Sequence, residues 1–123
     1  MATRTLRVHG VGVDLVSLPR FRRFASEHEG RLPEMFTRAE LARGTEKMAA
    51  AFAVKEAALK AIGGLTGWEL DWREIGSPAR DGAVALSGVV AAHAKKLGIV
   101  TVAASVSGFG EFVMASVIVE SQA

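Results

Sequence analysis

Two carboxylates and a lysine stand in this sequence where charged groups are costly. Glu56 lies four residues after Phe52 and three before Leu59, which on a helix places it in the middle of an apolar stripe. Asp14 falls in the alternating run RVHGVGVDLV (7–16), on the face that also carries Gly10 and Gly12. Lys60 follows Glu56 by one helical turn. A carboxylate in an apolar setting is destabilising unless it is paired, hydrogen-bonded or bound to a metal. One solution is structural: an i, i+4 ion pair between Glu56 and Lys60. The other is chemical, with Asp14 and Glu56 converging on a hard cation. Mg²⁺ suits such a pair, because it takes one or two carboxylates together with waters and substrate phosphate oxygens. Lys60 would then cover the remaining phosphate charge. Residue types alone leave both solutions open.

The elements that must position these groups follow from pattern. Residues 7–16 alternate as a strand, with Val11, Val13 and Leu15 on one face, and the glycines on the other imply close approach of another backbone. Pro19 opens a helix that stops near Gly30, and Arg20, Arg22 and Arg23 at its start form a basic patch suited to an acidic partner. FTRAEL (36–41) has Thr37 and Glu40 at capping-box spacing, which structure alone explains. Good helix formers predict a long helix from about Met48 to Ile62, ended by Gly63-Gly64. A strand is expected around Leu70–Ile75, then a turn through GSPARDG and a short strand VALSG. Ser87 is placed as the N-cap of GVVAAHAKKLG, and His93 within it packs or faces water. The closing runs 99–107 and 111–120 form a hairpin turning at GFG (108–110). The order of elements predicts an α+β fold, with helices packed on a mostly antiparallel sheet.

Composition narrows the classes. The 123 residues suit one domain with a single core, and half of them are hydrophobic. A net charge of +2 is too small to argue for nucleic acid. The absence of cysteine excludes disulfides and thiolate metal sites. No apolar run is long enough to span a membrane and the start does not resemble a secretory signal, so a cytoplasmic protein is expected.

GVGVDLV (10–16), TRAEL (37–41), FAVKEAALKAIG (52–63) and the closing SVS…VIVE (105–120) resemble the holo-[acyl-carrier-protein] synthase family of 4′-phosphopantetheinyl transferases. The resemblance runs in order over nearly the whole chain, 1–123, and rests on the G-x-G-x-D and K-E-A-x-x-K pair. It implies a single 4′-phosphopantetheinyl transferase-like domain that moves the phosphopantetheine arm of coenzyme A onto a serine of an apo acyl carrier protein, releasing 3′,5′-ADP. It implies a homotrimer with active sites between subunits. Residue by residue, it puts the metal ligands on Asp14 and Glu56, with Mg²⁺ between them. The phosphate-holding lysine falls on Lys60 and the arginine that meets the carrier protein on Arg20. Ser107 falls in the cofactor-binding S-x-S stretch, and Glu56 with Lys60 forms the catalytic pair.

The coenzyme half departs from the family. Ala51 stands where the family carries a phosphate-binding arginine, Gly108 where it carries a histidine, and Ala103 where another is often found. A G-[KR]-P turn is absent from ARDGAV, and the stretch from Glu40 to Lys47 is short. Each lost charge-assisted contact is worth roughly 1.5–3 kcal/mol, so two predict coenzyme A binding weaker by roughly two to four decades. Three readings stand on the sequence: a working transferase with altered coenzyme A recognition, a divergent member binding a carrier protein or acyl ligand in the old cleft, and an unrelated basic binding module.

Overall fold

The computed structural model describes residues 5–65 and 70–123. Strand β1 (Leu6–Ser17) leads into helix α1 (Leu18–Glu27), a 3-10 turn (Glu29–Arg31) and two single-turn helices, α2 (Leu32–Met35) and α3 (Arg38–Leu41). The long helix α4 (Thr45–Ile62) follows, then a 3-10 turn (Trp72–Glu74), helix α5 (Gly88–Lys96) and strands β2 (Ile99–Phe109) and β3 (Phe112–Gln122). The three strands form one antiparallel sheet in the order β1-β3-β2, with β3 central. Helices pack on one face of it, which is the α+β arrangement that the element order implied.

The helix α4 lies across the sheet with alanine on its contact side: Ala53, Ala57 and Ala58 are fully buried. The opposing face of β1 supplies glycine. A Cβ built at Gly12 would sit 1.9 Å from the Ala57 carbonyl oxygen, and one at Gly10 would sit 2.1 Å from that of Ala61. Strand backbone therefore touches helix backbone, and this close approach is why those positions are glycine. The alternation of β1 then does the rest. Gly10, Gly12, Asp14 and Val16 face α4, whereas Val11, Val13 and Leu15 point away from it and are half-exposed.

Local chemistry explains most element boundaries. Ser17 caps α1 by accepting from the Arg20 N–H, with Pro19 in the first turn. The helix ends at Glu27, three residues short of Gly30, because His28 leaves helical geometry. Thr37 and Glu40 make the full capping box. Helix α4 begins at Thr45, three residues before the predicted start, directly after Gly44 at φ 93°. Its far end is held by two histidines: His9 Nε2 meets the Ile62 carbonyl at 2.9 Å and His93 Nε2 meets that of Gly63 at 2.8 Å.

Two expectations fail, and a third, Ser87 at the N-cap of α5, holds in position only. The strand expected over Leu70–Ile75 is a 3-10 turn, since the Asp71 carboxylate accepts from the Arg73 N–H and curls the backbone; only Ile75 bridges, to Leu86. VALSG is correspondingly not a strand, with isolated bridges at Ala83 and Leu86. Ser87 precedes α5 but gives no side-chain cap; the Glu74 carboxylate accepts from the Val89 and Val90 N–H groups instead.

The glycine seam is testable. Gly12→Ala should force α4 off β1 and destabilise the protein by about 1–3 kcal/mol, measured by urea denaturation. An unchanged midpoint would mean that the strand and helix are not in backbone contact.

Candidate active site

The glycine face of β1 ends at Asp14, and α4 brings Glu56 and Lys60 alongside it. Lys60 Nζ donates to Asp14 Oδ1 and to the Val13 carbonyl, each at 3.1 Å. The expected Glu56–Lys60 pair is thus not formed. Lys60 reaches across to the strand, because Asp14 offers both a carboxylate and a neighbouring carbonyl at the right distance. Glu56 is left facing Asp14. Burial pushes its carboxyl above the ordinary 4.5, the Asp14 charge raises it further, and Lys60 offsets only part. No hydrogen-bond donor among the described residues meets Glu56.

These groups open into a cleft of about 560 Å³. Its wall carries Asp14, Glu56 and Arg20, with Phe21, Phe24, Phe52 and Phe112 supplying apolar surface. Arg20 comes from the first turn of α1, so the basic patch opens onto the carboxylates. Of the other two arginines, Arg22 is tied to Glu46 of α4 at 2.6 Å.

The donor set suits a hard divalent cation. Two carboxylates converge, one of them without a protein donor, and among the described residues no cluster of three or more His, Cys, Asp or Glu competes as a metal site. Two carboxylates leave most of an octahedral shell to water and phosphate, which is how Mg²⁺ is ordinarily bound.

Ser107 does not join this group. It pairs with Met114 on β3, as does Leu15, whereas Asp14 pairs with Ala115. Register therefore puts Ser107 on the sheet face opposite Asp14. Gly108 and Ala103 likewise lie along β2.

A second charged cluster escaped the sequence analysis. Lys55, next to Glu56, is fully buried and paired with Glu40 at 3.1 Å. Its ammonium also donates to the Trp72 and Ile75 carbonyls, and Ser77 Oγ donates to Glu40 at 2.5 Å. Burial alone would raise the Glu40 carboxyl, but Ser77, the Thr37 N–H and Lys55 together hold it below the ordinary value; burial lowers Lys55. The pair clamps α3, α4 and the 72–77 segment together behind the carboxylate cleft. The clue was present: the neighbours of Lys55 at three and four residues are Ala51, Phe52, Ala58 and Leu59.

The chain is similar to known proteins over nearly its whole length. Residues 10–100 match the model of the 4′-phosphopantetheinyl transferase superfamily. A holo-[acyl-carrier-protein] synthase of Clavibacter michiganensis subsp. michiganensis is 35% identical over 118 residues, covering 94% of this chain and 98% of its own. One from Renibacterium salmoninarum is 38% identical over 114 residues, covering 91% and 97%. Among solved structures, the Chronobacterium ammoniagenes ACPS–CoA complex superposes with a TM-score of 0.79 at 28% identity, covering 97% of this chain and 99% of that one.

The raised carboxyl gives a test that needs no substrate. The folded state holds a proton on Glu56 that the unfolded chain releases near pH 4.5. The ionised form therefore costs stability above the folded pKa, and that cost fades as pH falls toward 4.5. In metal-free buffer, Glu56→Gln should raise the melting temperature at pH 7 and lose that advantage at pH 4. A lower melting temperature at pH 7 would show that Glu56 is a stabilising partner.

Proposed function

The chain belongs to the 4′-phosphopantetheinyl transferase superfamily, and we propose on that premise that it transfers phosphopantetheine from coenzyme A to a serine of an apo acyl carrier protein with Mg²⁺ at Asp14 and Glu56. It is a transferase of this kind. The observation that carries the fuller reading is the pair Asp14–Glu56, opposed across the β1–α4 contact and opening into a cleft with a basic rim.

In the transfer, the carrier serine oxygen attacks the pyrophosphate phosphorus that bears the pantetheine arm. A new P–O bond forms, the bond to the distal phosphate breaks, and 3′,5′-ADP leaves while the serine proton passes to a base. Asp14 and Glu56 would hold Mg²⁺, whose chemistry here is to neutralise the oxygens of the pyrophosphate. The Lys60 ammonium, half-exposed and one turn from Glu56, swings from Asp14 to the phosphate oxygens as substrate charge arrives. The four phenylalanines lower the local dielectric, so each of these attractions is stronger than in water. Arg20, exposed at the rim, meets the acidic carrier.

A trimer completes the site. The outer face of the sheet exposes Val11, Val13, Leu15 and Ile118, each between 48 and 58% exposed, next to Ser105 and Ser107. An apolar sheet face of that kind calls for a partner. Ser107 lies on this face, away from its own Asp14, so a neighbouring copy must bring it to the carboxylates. A cytoplasmic setting fits the partners; no described helix is long and apolar enough to cross a membrane.

Four outcomes are expected. Mass spectrometry of apo carrier protein incubated with this protein, coenzyme A and Mg²⁺ should show the phosphopantetheine adduct. Glu56→Gln should reduce the rate on the order of 100-fold or more. An unmodified carrier would leave the divergent, non-transferring reading. The wild-type rate should also fall as pH drops through a range above ordinary carboxylate values, because a proton on Glu56 competes with the metal. Sedimentation at micromolar concentration should show a trimer; a species of 13.0 kDa would contradict the shared site.

A further inference from the structure

Two of the chain's three histidines end on one turn of helix, and the transfer chemistry uses neither. His9 Nε2 meets the Ile62 carbonyl at 2.9 Å, and His93 Nε2 meets the Gly63 carbonyl at 2.8 Å. A carbonyl oxygen only accepts, so each imidazole carries a proton on Nε2 and donates it. The last carbonyls of a helix have no partner within the helix and must find one elsewhere. At the end of α4 three in succession are met from outside: Ala61 packs on Gly10, Ile62 takes His9 and Gly63 takes His93.

Each histidine reaches the turn through a local accommodation. The β1–β3 register shifts between Val8 and Gly10, so His9 is the extra residue of a bulge. Strict alternation from Gly10, Gly12 and Asp14 would put His9 on the outer face; the bulge turns it toward α4 together with Gly10. On the other side, α5 brings His93 against Gly64, where an added Cβ would stand 2.9 Å from Nε2. Gly64 also has φ 79°, so both its conformation and its neighbour disfavour a side chain there.

Lys60 sits in this same last turn. Its ammonium reaches Asp14 and the Val13 carbonyl, each at 3.1 Å, yet its side chain is 55% exposed and has little packing to fix it. Its aim therefore depends on the backbone that carries it. Glu56 lies a full turn earlier, where Ala57 is locked against Gly12. Loosening the end of α4 thus moves Lys60 more than Glu56. We propose that His9 and His93 are positioning residues for the transfer, acting through Lys60: they fix the last turn of α4, and with it the aim of the ammonium at the substrate phosphates. The proposal rests on the transferase reading and adds to it two residues, from β1 and α5, that do not line the cleft.

The test measures initial rates with coenzyme A, Mg²⁺ and apo carrier protein, at a temperature where circular dichroism shows every variant folded. His9→Ala and His93→Ala should each lower kcat roughly 10- to 100-fold, the cost of misplacing a catalytic group by about 1 Å. The Mg²⁺ concentration that gives half the maximal rate should stay at its wild-type value. His9→Gln and His93→Gln should recover most of the rate, since glutamine carries an N–H donor at the reach of Nε2. In a Lys60→Met background the alanine substitutions should cost nothing further. Wild-type kcat in the folded alanine variants, a loss confined to Mg²⁺ affinity, or an equal loss with and without Lys60 overturns the proposal. Amide exchange gives a readout that needs no turnover. The Gly63 N–H, bonded to the Leu59 carbonyl, should exchange about tenfold faster in His93→Ala and at the wild-type rate in His93→Gln. Unchanged exchange in His93→Ala overturns the clamp itself. A failed transferase reading looks different, because wild type then leaves the carrier unmodified while exchange still decides the clamp.

Discussion

The structure depends on backbone meeting backbone. At Gly10 and Gly12 no strand side chain stands between β1 and α4 to absorb error, because glycine there faces carbonyl oxygens of the helix. That contact fixes the separation of the two elements, and the separation fixes how far Asp14 stands from Glu56 and Lys60. The site's precision thus comes from two positions without side chains rather than from the charged groups themselves. Packed interiors transmit such constraints because they have little slack.

The same strand has two tasks that its alternation keeps apart. One face holds the seam and Asp14; the other presents valine and leucine outward. A buried ion pair, Glu40 with Lys55, holds the opposite flank of α4 against α3 and the 72–77 segment. Breaking one partner of such a pair costs roughly 3–5 kcal/mol, more than its formation contributes, so its value lies in specifying one arrangement. With the glycine seam on one flank and the ion pair on the other, α4 has a single seat.

Much of this was legible in the sequence, and the reasons differ by element. The alternation of β1, the capping box at Thr37 and Glu40, and the closing hairpin follow from local rules that tertiary contacts did not override. The strand expected over Leu70–Ile75 was lost to an Asp71 turn, a competition between side chain and backbone that apolar content does not reveal. Asp14 and Glu56 stood out as carboxylates in apolar surroundings, and the structure opposes them. Lys55 met the same criterion and was passed over beside its more conspicuous neighbour. The choice of Lys60 between Glu56 and Asp14 was not decidable from spacing, since an i, i+4 partner on the helix and a strand residue compete at the same range.

The sheet order has a consequence for how the molecule comes into being. Among the described residues the sheet neighbour of β1 is β3, which follows every helix in chain order. As the chain leaves the ribosome, β1 emerges before the described helices and waits through them for its hydrogen-bonding partner. Contacts of such long sequence separation slow folding. Through that interval an apolar strand edge stays open to other chains, a period of aggregation risk that the finished structure no longer displays.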